Sequence, residues 1–368
     1  MSLILSGDSG ITFPNSSTQA VGFYGFKNRI INGAMMIDQR NAGASVAGNG
    51  VYTLDRWLAQ ASVYNKFNVQ QNAGSVTPPA GYINYLGATS SSAYSIGSGD
   101  YFYIEQSIEG LNIADLAWGT ASASTVTLSF KIYSSLTGAF GGVLRNSAGN
   151  RSYPFTYTVA SANTWTTISV TIAGDTSGTW LTTNGVGIRV TFGLGVGSTY
   201  SGTAGSWSGS SYISATGATS VVGTNGATFY ITGVQLEAGS TATSFDYRPY
   251  GTELALCQRY FQGYTYSGGS LICMGFGRSS AAVNGVFQFP VMRTAPTVSL
   301  PSLGNGTGQA TYMTNSFGYP GMTGSLSAVS LNNASFSIFQ SGDSGFTTGQ
   351  ASVFYSSAGC SMSLSSEL

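Results

Sequence analysis

The chain has no histidine, and only 7% of its 368 residues are charged. Without His, it lacks the side chain that most often serves as general base and metal ligand near neutral pH. Lysine is almost absent too. Only Lys27, Lys66 and Lys131 occur, and none completes a Ser-x-x-Lys pattern, so a serine nucleophile has no evident base. No Gly-x-Gly-x-x-Gly run opens a helix after a strand, and there is no Walker loop. Thirteen basic residues balance 13 acidic ones, which argues against a basic nucleic-acid footprint. No run of eighteen apolar residues exists, so no transmembrane helix is expected. The opening MSLILSGDSG has neither the basic region nor the apolar length of a signal peptide. Cysteine is limited to Cys257, Cys273 and Cys360. That odd number without metal spacing is read as buried free thiols.

What is abundant is glycine, with 51 residues, and aromatics, with 22 Tyr, 20 Phe and 5 Trp. An apolar fraction of 42% excludes a disordered chain. A net charge of zero removes the usual barrier to self-association, so an oligomer is expected.

Period-two alternation predicts strands. Val126, Leu128, Phe130 and Ile132 alternate with polar residues, as do Ile168, Val170 and Ile172, and Val186, Ile188, Val190 and Phe192. Tyr101 to Ile108 and Arg29 to Asp38 are further strand candidates. In Phe229–Glu237 the apolar phase slips at Gly233, which predicts a β-bulge. Such strands between Gly/Ser/Asn turns indicate a sandwich or jelly roll. Residues 195–227 form a long Gly/Ser/Thr loop carrying Tyr200, Trp207 and Tyr212, and loops of this length are often functional. One helix is expected over Thr252–Gln262, with Leu254, Cys257 and Phe261 on one face. After it only Arg278, Arg293, Asp343 and Glu367 are charged, and short strands suggest a second, smaller sandwich.

Candidate chemistry is sparse. Glu105 and Glu109 on one strand would stand ~13 Å apart, too far for either glycosidase geometry. Asp38 and Glu237 could approach if their strands pair. Asp38, Arg40, Asp55, Arg56 and Glu237 are read instead as a structural polar network, since half-buried ions need partners. Tyr200, Trp207 and Tyr212 are the candidate ligand-binding residues, because aromatic faces bury the apolar faces of sugars. The competing reading pins Trp207 to its own sheet or to a neighbouring subunit. No metal site is expected, although a Ca²⁺ site of hard oxygen ligands stays open.

Several stretches carry a resemblance. Asn28–Gly33, Met36–Gly43 and Asp55-Arg56-Trp57 open it. Phe229–Gly239, Ala242–Phe245, Arg248-Pro249-Tyr250 and Glu253–Tyr260 close it. They resemble a β-sandwich domain of tailed-bacteriophage virion proteins, a jelly roll similar to carbohydrate-binding modules and found in tail, neck and head fibres. Ile11–Gln19 is similar to a motif in trimeric fibre shafts, with Asn15-Ser16 where Asp-Gly is usual. Phe289–Val298 resembles small β tip domains.

The resemblance implies a virion component and carries over no catalytic or sugar-contacting residue. The expected organisation is all-β. It comprises an anchoring leader (1–27), a jelly roll (28–250), a linking helix (251–264) and a C-terminal sandwich (265–368). The expected function is a homotrimeric tail fibre or spike, without enzymatic activity, that attaches to host-surface glycans. Residues 1–27 would join other virion proteins, and assembly would take place in the host cytoplasm. A head-fibre, neck or capsid-decoration protein with a purely structural role is the alternative. A polysaccharide depolymerase would require an acidic pair within ~10 Å.

Overall fold

The computed structural model describes residues 27–265, 286–299 and 361–368 with their side chains, together with the backbone of the strands outside those ranges. Three short strands, β1 (Ile4–Ser6), β2 (Gly10–Thr12) and β3 (Thr18–Gln19), pair antiparallel. Apart from them and Lys27, the expected leader lies outside the described residues.

The sandwich follows. Its strands are β4 (Val46–Ala47), β5 (Val51–Tyr52), β6 (Leu58–Ala61), β7 (Phe67–Gln71), β8 (Leu86–Ser90), β9 (Tyr101–Glu109), β10 (Val126–Ser134), β11 (Gly138–Arg145), β12 (Ser152–Val159), β13 (Thr166–Ile172), β14 (Val186–Val196) and β17 (Thr228–Ala238). Two more, β15 (Ser201–Gly202) and β16 (Ser214–Ala215), form a short parallel pair in the long loop. One six-stranded sheet runs β13-β10-β17-β8-β7-β4 and the other β12-β11-β14-β9-β6-β5. Chain neighbours such as β9 and β10, or β13 and β14, fall in opposite sheets, which is the crossing pattern of a jelly roll.

Alternation decides which side chains meet between the sheets. Val126, Leu128, Phe130 and Ile132 from β10 join Ile188, Val190, Phe192 and Leu194 from β14 in one core around Trp57. The slip in β17 is a bulge. Its pairing with β10 passes from Ser129–Gln235 to Lys131–Thr232, so Gly233 and Val234 together face Phe130. This returns Ile231, Val234 and Leu236 to the same buried core. Gly233 has φ 61°, where a side chain is strained. A Cβ there would also come 2.7 Å from Cζ of Tyr82.

The strand expected over Arg29–Asp38 is absent; the segment is turns and extended coil. Its backbone bonds go to side chains instead of a ladder. The Ile31 N–H donates to Gln106 Oε1 at 2.9 Å and the Ile37 N–H to Asn32 Oδ1 at 3.0 Å. Buried amides satisfy the backbone without a partner strand, and positive φ at Asn32 and Met35 breaks the extended run. Strand pairing therefore does not join Asp38 to Glu237, whose β17 position faces Thr127.

The helix α1 covers Tyr250–Gln258, starting and ending earlier than expected. Leu254 and Cys257 pack with Ile31, Ile37 and Tyr260, while Phe261 opens the next strand. Cys257 is a buried free thiol. Cys273 and Cys360 lie outside the residues described with side chains.

Beyond α1, β18 (Phe261–Tyr266), β27 (Cys360–Ser365) and β21 (Thr297–Ser299) form a three-stranded sheet. A seven-stranded sheet takes β19 (Leu271–Ser279), β20 (Ala282–Gln288), β22 (Thr311–Thr314), β23 (Phe317–Tyr319), β24 (Thr323–Ala328), β25 (Asn333–Phe339) and β26 (Ala351–Tyr355). Phe289, Met292 and Leu364 make a small core of their own with Tyr264, Phe287 and Val298.

Candidate functional site

The runs at the two ends of the sandwich domain meet in one clasp. The Arg29 N–H donates to Leu236 O at 3.0 Å and the Val234 N–H to Gly33 O at 2.9 Å. Arg248 donates to the carbonyls of Asn28 and Ile30 and lies 3.4 Å from the Glu253 carboxylate. Glu253 also accepts the Asn32 N–H. The recognisable ends of the chain's sandwich are therefore mutual partners, and their residue types serve hydrogen bonding between segments.

Next to the clasp lies a buried ion network. Arg56 is 1% exposed. It donates to Glu367 and to Ser107 O, with its guanidinium carbon 3.6 Å from the Tyr260 ring centre. Arg40 takes the other Glu367 oxygen at 2.7 Å, approaches Asp55 at 4.0 Å and stacks 3.6 Å from the centre of Phe261. Burial pushes the Arg40 guanidinium down to about 10 against the pull of Asp55, so it stays charged at neutral pH. Burial raises the Asp55 carboxyl, partly offset by bonds from Gln39.

Arg40 thus contacts Asp55 and shares Glu367 with Arg56. Asp38 accepts from the N–H groups of Asn41 and Gly43 at 2.9 and 2.7 Å and acts on Arg40 through charge alone. Glu237 lies apart, bonded to Gln235 and Thr243. The hub is Glu367, which sequence reasoning missed. The available signal was rarity, because an acid in a nearly charge-free region needs a cation.

The three loop aromatics pack on different partners. Trp207 sits edge-on to Trp118, Trp180 and Tyr153 at 5.3, 5.4 and 5.2 Å, and its Nε1–H donates to Ala173 O at 2.8 Å. Tyr200 meets Tyr101 edge-on at 5.5 Å. The Tyr212 ring covers Gly202. The loop approaches the second sheet so closely that a Cβ on Gly193 would come 2.6 Å from Ser214 Oγ.

A wide opening lies elsewhere. Residues around the edge strands β4 and β5, together with the paired strands β18 and β27, border a cleft of about 880 Å³. Gln39, Asn41 and Asn49 supply amides; Thr265, Ser299, Ser361 and Ser363 supply hydroxyls; Tyr52, Phe261 and Tyr264 supply rings. No carboxylate occurs among the described residues that line it. The volume falls within the ~300–1,000 Å³ usual for ligand sites. Tyr52 is held by a 2.9 Å bond to Leu368 O and Tyr264 by a 2.6 Å bond to Gln262 Oε1. Arg40 lines it as well, its charge taken up by Glu367 and Asp55, so paired donors and acceptors beside ring faces suit a neutral, hydroxylated ligand. No sequence motif marks the cleft, because its walls come from segments more than 200 positions apart in the chain.

Two buried carboxylates on β9 are anchored to cations. Glu105 accepts from Arg145, Arg189 and Thr191 at 2.6, 2.8 and 2.7 Å. Glu109 accepts from Arg259 at 2.6 Å and Tyr260 at 2.7 Å. Burial alone would raise both carboxyls, but these partners hold them below the ordinary range. A depressed folded value means stability that is complete above the unfolded carboxylate range and lost as pH falls through the folded one. Urea unfolding should show stability declining below about pH 4, with a shallower decline in Glu109→Gln. An unchanged slope in that variant would show that Glu109 does not contribute.

Among the described residues no three acidic or cysteine side chains gather as a metal site, and no helix is long and apolar enough to cross a membrane. No protein-family model and no curated protein sequence matches the chain. Among solved structures it is similar to the enzymatically active domain of bacteriophage CBA120 tailspike protein 4, at 11% identity and TM-score 0.32, over 58% of this chain and 21% of that one. A putative sugar binding protein from Bacteroides thetaiotaomicron matches at 13% identity and TM-score 0.34, over 58% and 100%. A family 11 carbohydrate-binding module from Clostridium thermocellum matches at 11% identity and TM-score 0.27, over 55% and 98%. The chain thus spans about a fifth of the tailspike structure. At these TM-scores the likenesses carry no functional weight, and the jelly roll rests on its own sheet order.

Proposed function

We propose that this chain is a bacteriophage virion protein, a homotrimeric tail fibre or spike that attaches to host-surface glycans through the cleft beside β5 and β18. The observation that carries the binding role is the cleft lining of amides, hydroxyls and three aromatic rings. The virion assignment rests on the runs at 28–43 and 229–260, which resemble the fibre domain. Binding without hydrolysis is the activity proposed, since Asp55 and Glu367, the carboxylates of the adjoining network, are engaged by Gln39, Arg40 and Arg56. The leader would anchor the chain to the virion.

A glycan array probed with the full chain tests this. Binding to a subset of neutral oligosaccharides is expected. Tyr264→Ala should weaken it at least tenfold, or about 1.4 kcal/mol, beyond the stability it loses with its packing on Phe287, and Asn49→Ala, on the opposite wall, should weaken it with little change in melting temperature. A trimer that binds no glycan would favour the structural role of a head-fibre, neck or decoration protein. A monomer in sedimentation would contradict the fibre.

A further inference from the structure

One residue of the cleft wall carries a charge. Arg40 lines the cleft, and its guanidinium carbon lies 3.6 Å from the centre of Phe261 and 5.0 Å from the centre of Tyr52, two rings that line it as well. Its Nη2 donates to Glu367 Oε1 at 2.7 Å, while Nε stands 4.0 Å from Asp55. Among the described residues Nη1 makes no hydrogen bond, and of the two unbonded nitrogens only Nε is enclosed. The exposed 15% of the side chain therefore includes a donor, Nη1, on the cleft wall. Glu367 does not itself line the cleft.

Stability alone does not call for this arrangement. A buried ion network loses in desolvation much of what it gains in attraction, and apolar side chains of similar volume often hold a fold equally well. What the network supplies is a fixed donor. Stacking on Phe261 and the bond to Glu367 hold the guanidinium plane, so little side-chain freedom is lost when Nη1 donates to a ligand. Glu367, Asp55 and, through charge alone, Asp38 balance Arg40 and Arg56. The wall therefore offers a directional hydrogen bond without net positive charge, which fits an uncharged sugar oxygen better than a carboxylate. The chain neighbours supply the converse groups. Gln39 and Asn41 spend N–H groups on Asp55, Phe261 O and Thr53 O, and among the described residues their amide oxygens stay open as acceptors.

We propose, resting on the cleft as the glycan site, that Arg40 is its specificity-determining contact, donating from Nη1 to an uncharged sugar oxygen, and that Glu367 is the positioning residue that holds it. Titration of the full chain with maltotriose, cellotriose, triacetylchitotriose, lactose and trigalacturonate, well below each variant's melting temperature, tests both roles. At least one neutral sugar should bind, more tightly than trigalacturonate and with the same affinity at low and high salt. Those comparisons use the parent chain and need no variant. Arg40→Lys keeps a charge for Glu367 and loses Nη1. It should weaken the binding about tenfold, the usual worth of a hydrogen bond to a charged group. Glu367→Gln should weaken it too, but no further in the Arg40→Lys background, because it acts through Arg40. A merely structural Glu367 would give losses that add. If no sugar binds, the cleft reading falls and this assignment with it. If a neutral sugar binds, the cleft stands, and the assignment alone is overturned by full affinity in Arg40→Lys, by additive losses, or by tighter, salt-sensitive binding of trigalacturonate.

Discussion

Glu367→Gln is expected to lower the unfolding free energy by about 3–5 kcal/mol, the usual cost of removing one partner from a buried ion pair. Arg56 is held between Glu367, the carbonyl of Ser107 and the Tyr260 ring, with no water-facing route for its charge. Arg40 shares the same carboxylate, and its other ion pair is with Asp55 at 4.0 Å. Neutralising Glu367 would leave the buried Arg56 guanidinium without an ion-pair partner and Arg40 with Asp55 at 4.0 Å. The paired change Arg56→Met with Glu367→Gln should recover much of the loss, because an apolar side chain of similar length needs no counter-ion. Residue 56 has φ 73°, but Arg and Met share that strain, so it cancels. Urea unfolding of the parent, both single variants and the double variant closes the cycle. A single-variant loss below about 1 kcal/mol, the range of an exposed pair, would show that the network is effectively solvated.

Trp207→Ala should be the other large effect, and it should fall on stability. Truncating a fully buried Trp costs ~3–5 kcal/mol. Trp207 is only partly buried, so about 2–3 kcal/mol is expected from its contacts with Trp118, Trp180 and Tyr153. Its indole N–H bond to Ala173 O would also be lost. Thermal unfolding should shift down, and limited proteolysis should open the 199–219 segment. Affinity at the cleft should not change. Were Trp207 a sugar platform, the variant would instead lose affinity at constant melting temperature.

The sheets were legible in the sequence where one physical rule dominated. Val126–Ile132 and Val186–Phe192 alternate because one face is buried, and the slip at Gly233 showed the bulge because period two leaves no other way to keep Ile231 and Leu236 in one core. Arg29–Asp38 misled because its apolar residues are buried by an irregular path. Side-chain amides of Gln106 and Asn32 replace a ladder that alternation had implied. Arg40, Asp55 and Arg56 could be grouped from charge scarcity, yet their hub lies more than 300 positions away at Glu367. Chain distance likewise hid the cleft, since Asn49 and Ser361 carry no local signal of proximity. Tyr200, Trp207 and Tyr212 shared a loop in sequence, but each packs on its own partner.

A structure of the chain with a neutral oligosaccharide retained from the array tests the central claim most directly. The account predicts the saccharide between Tyr52 and Tyr264, hydrogen-bonded to Asn41 or Asn49. A saccharide seated instead on the Trp207 loop, with the cleft empty, would contradict it.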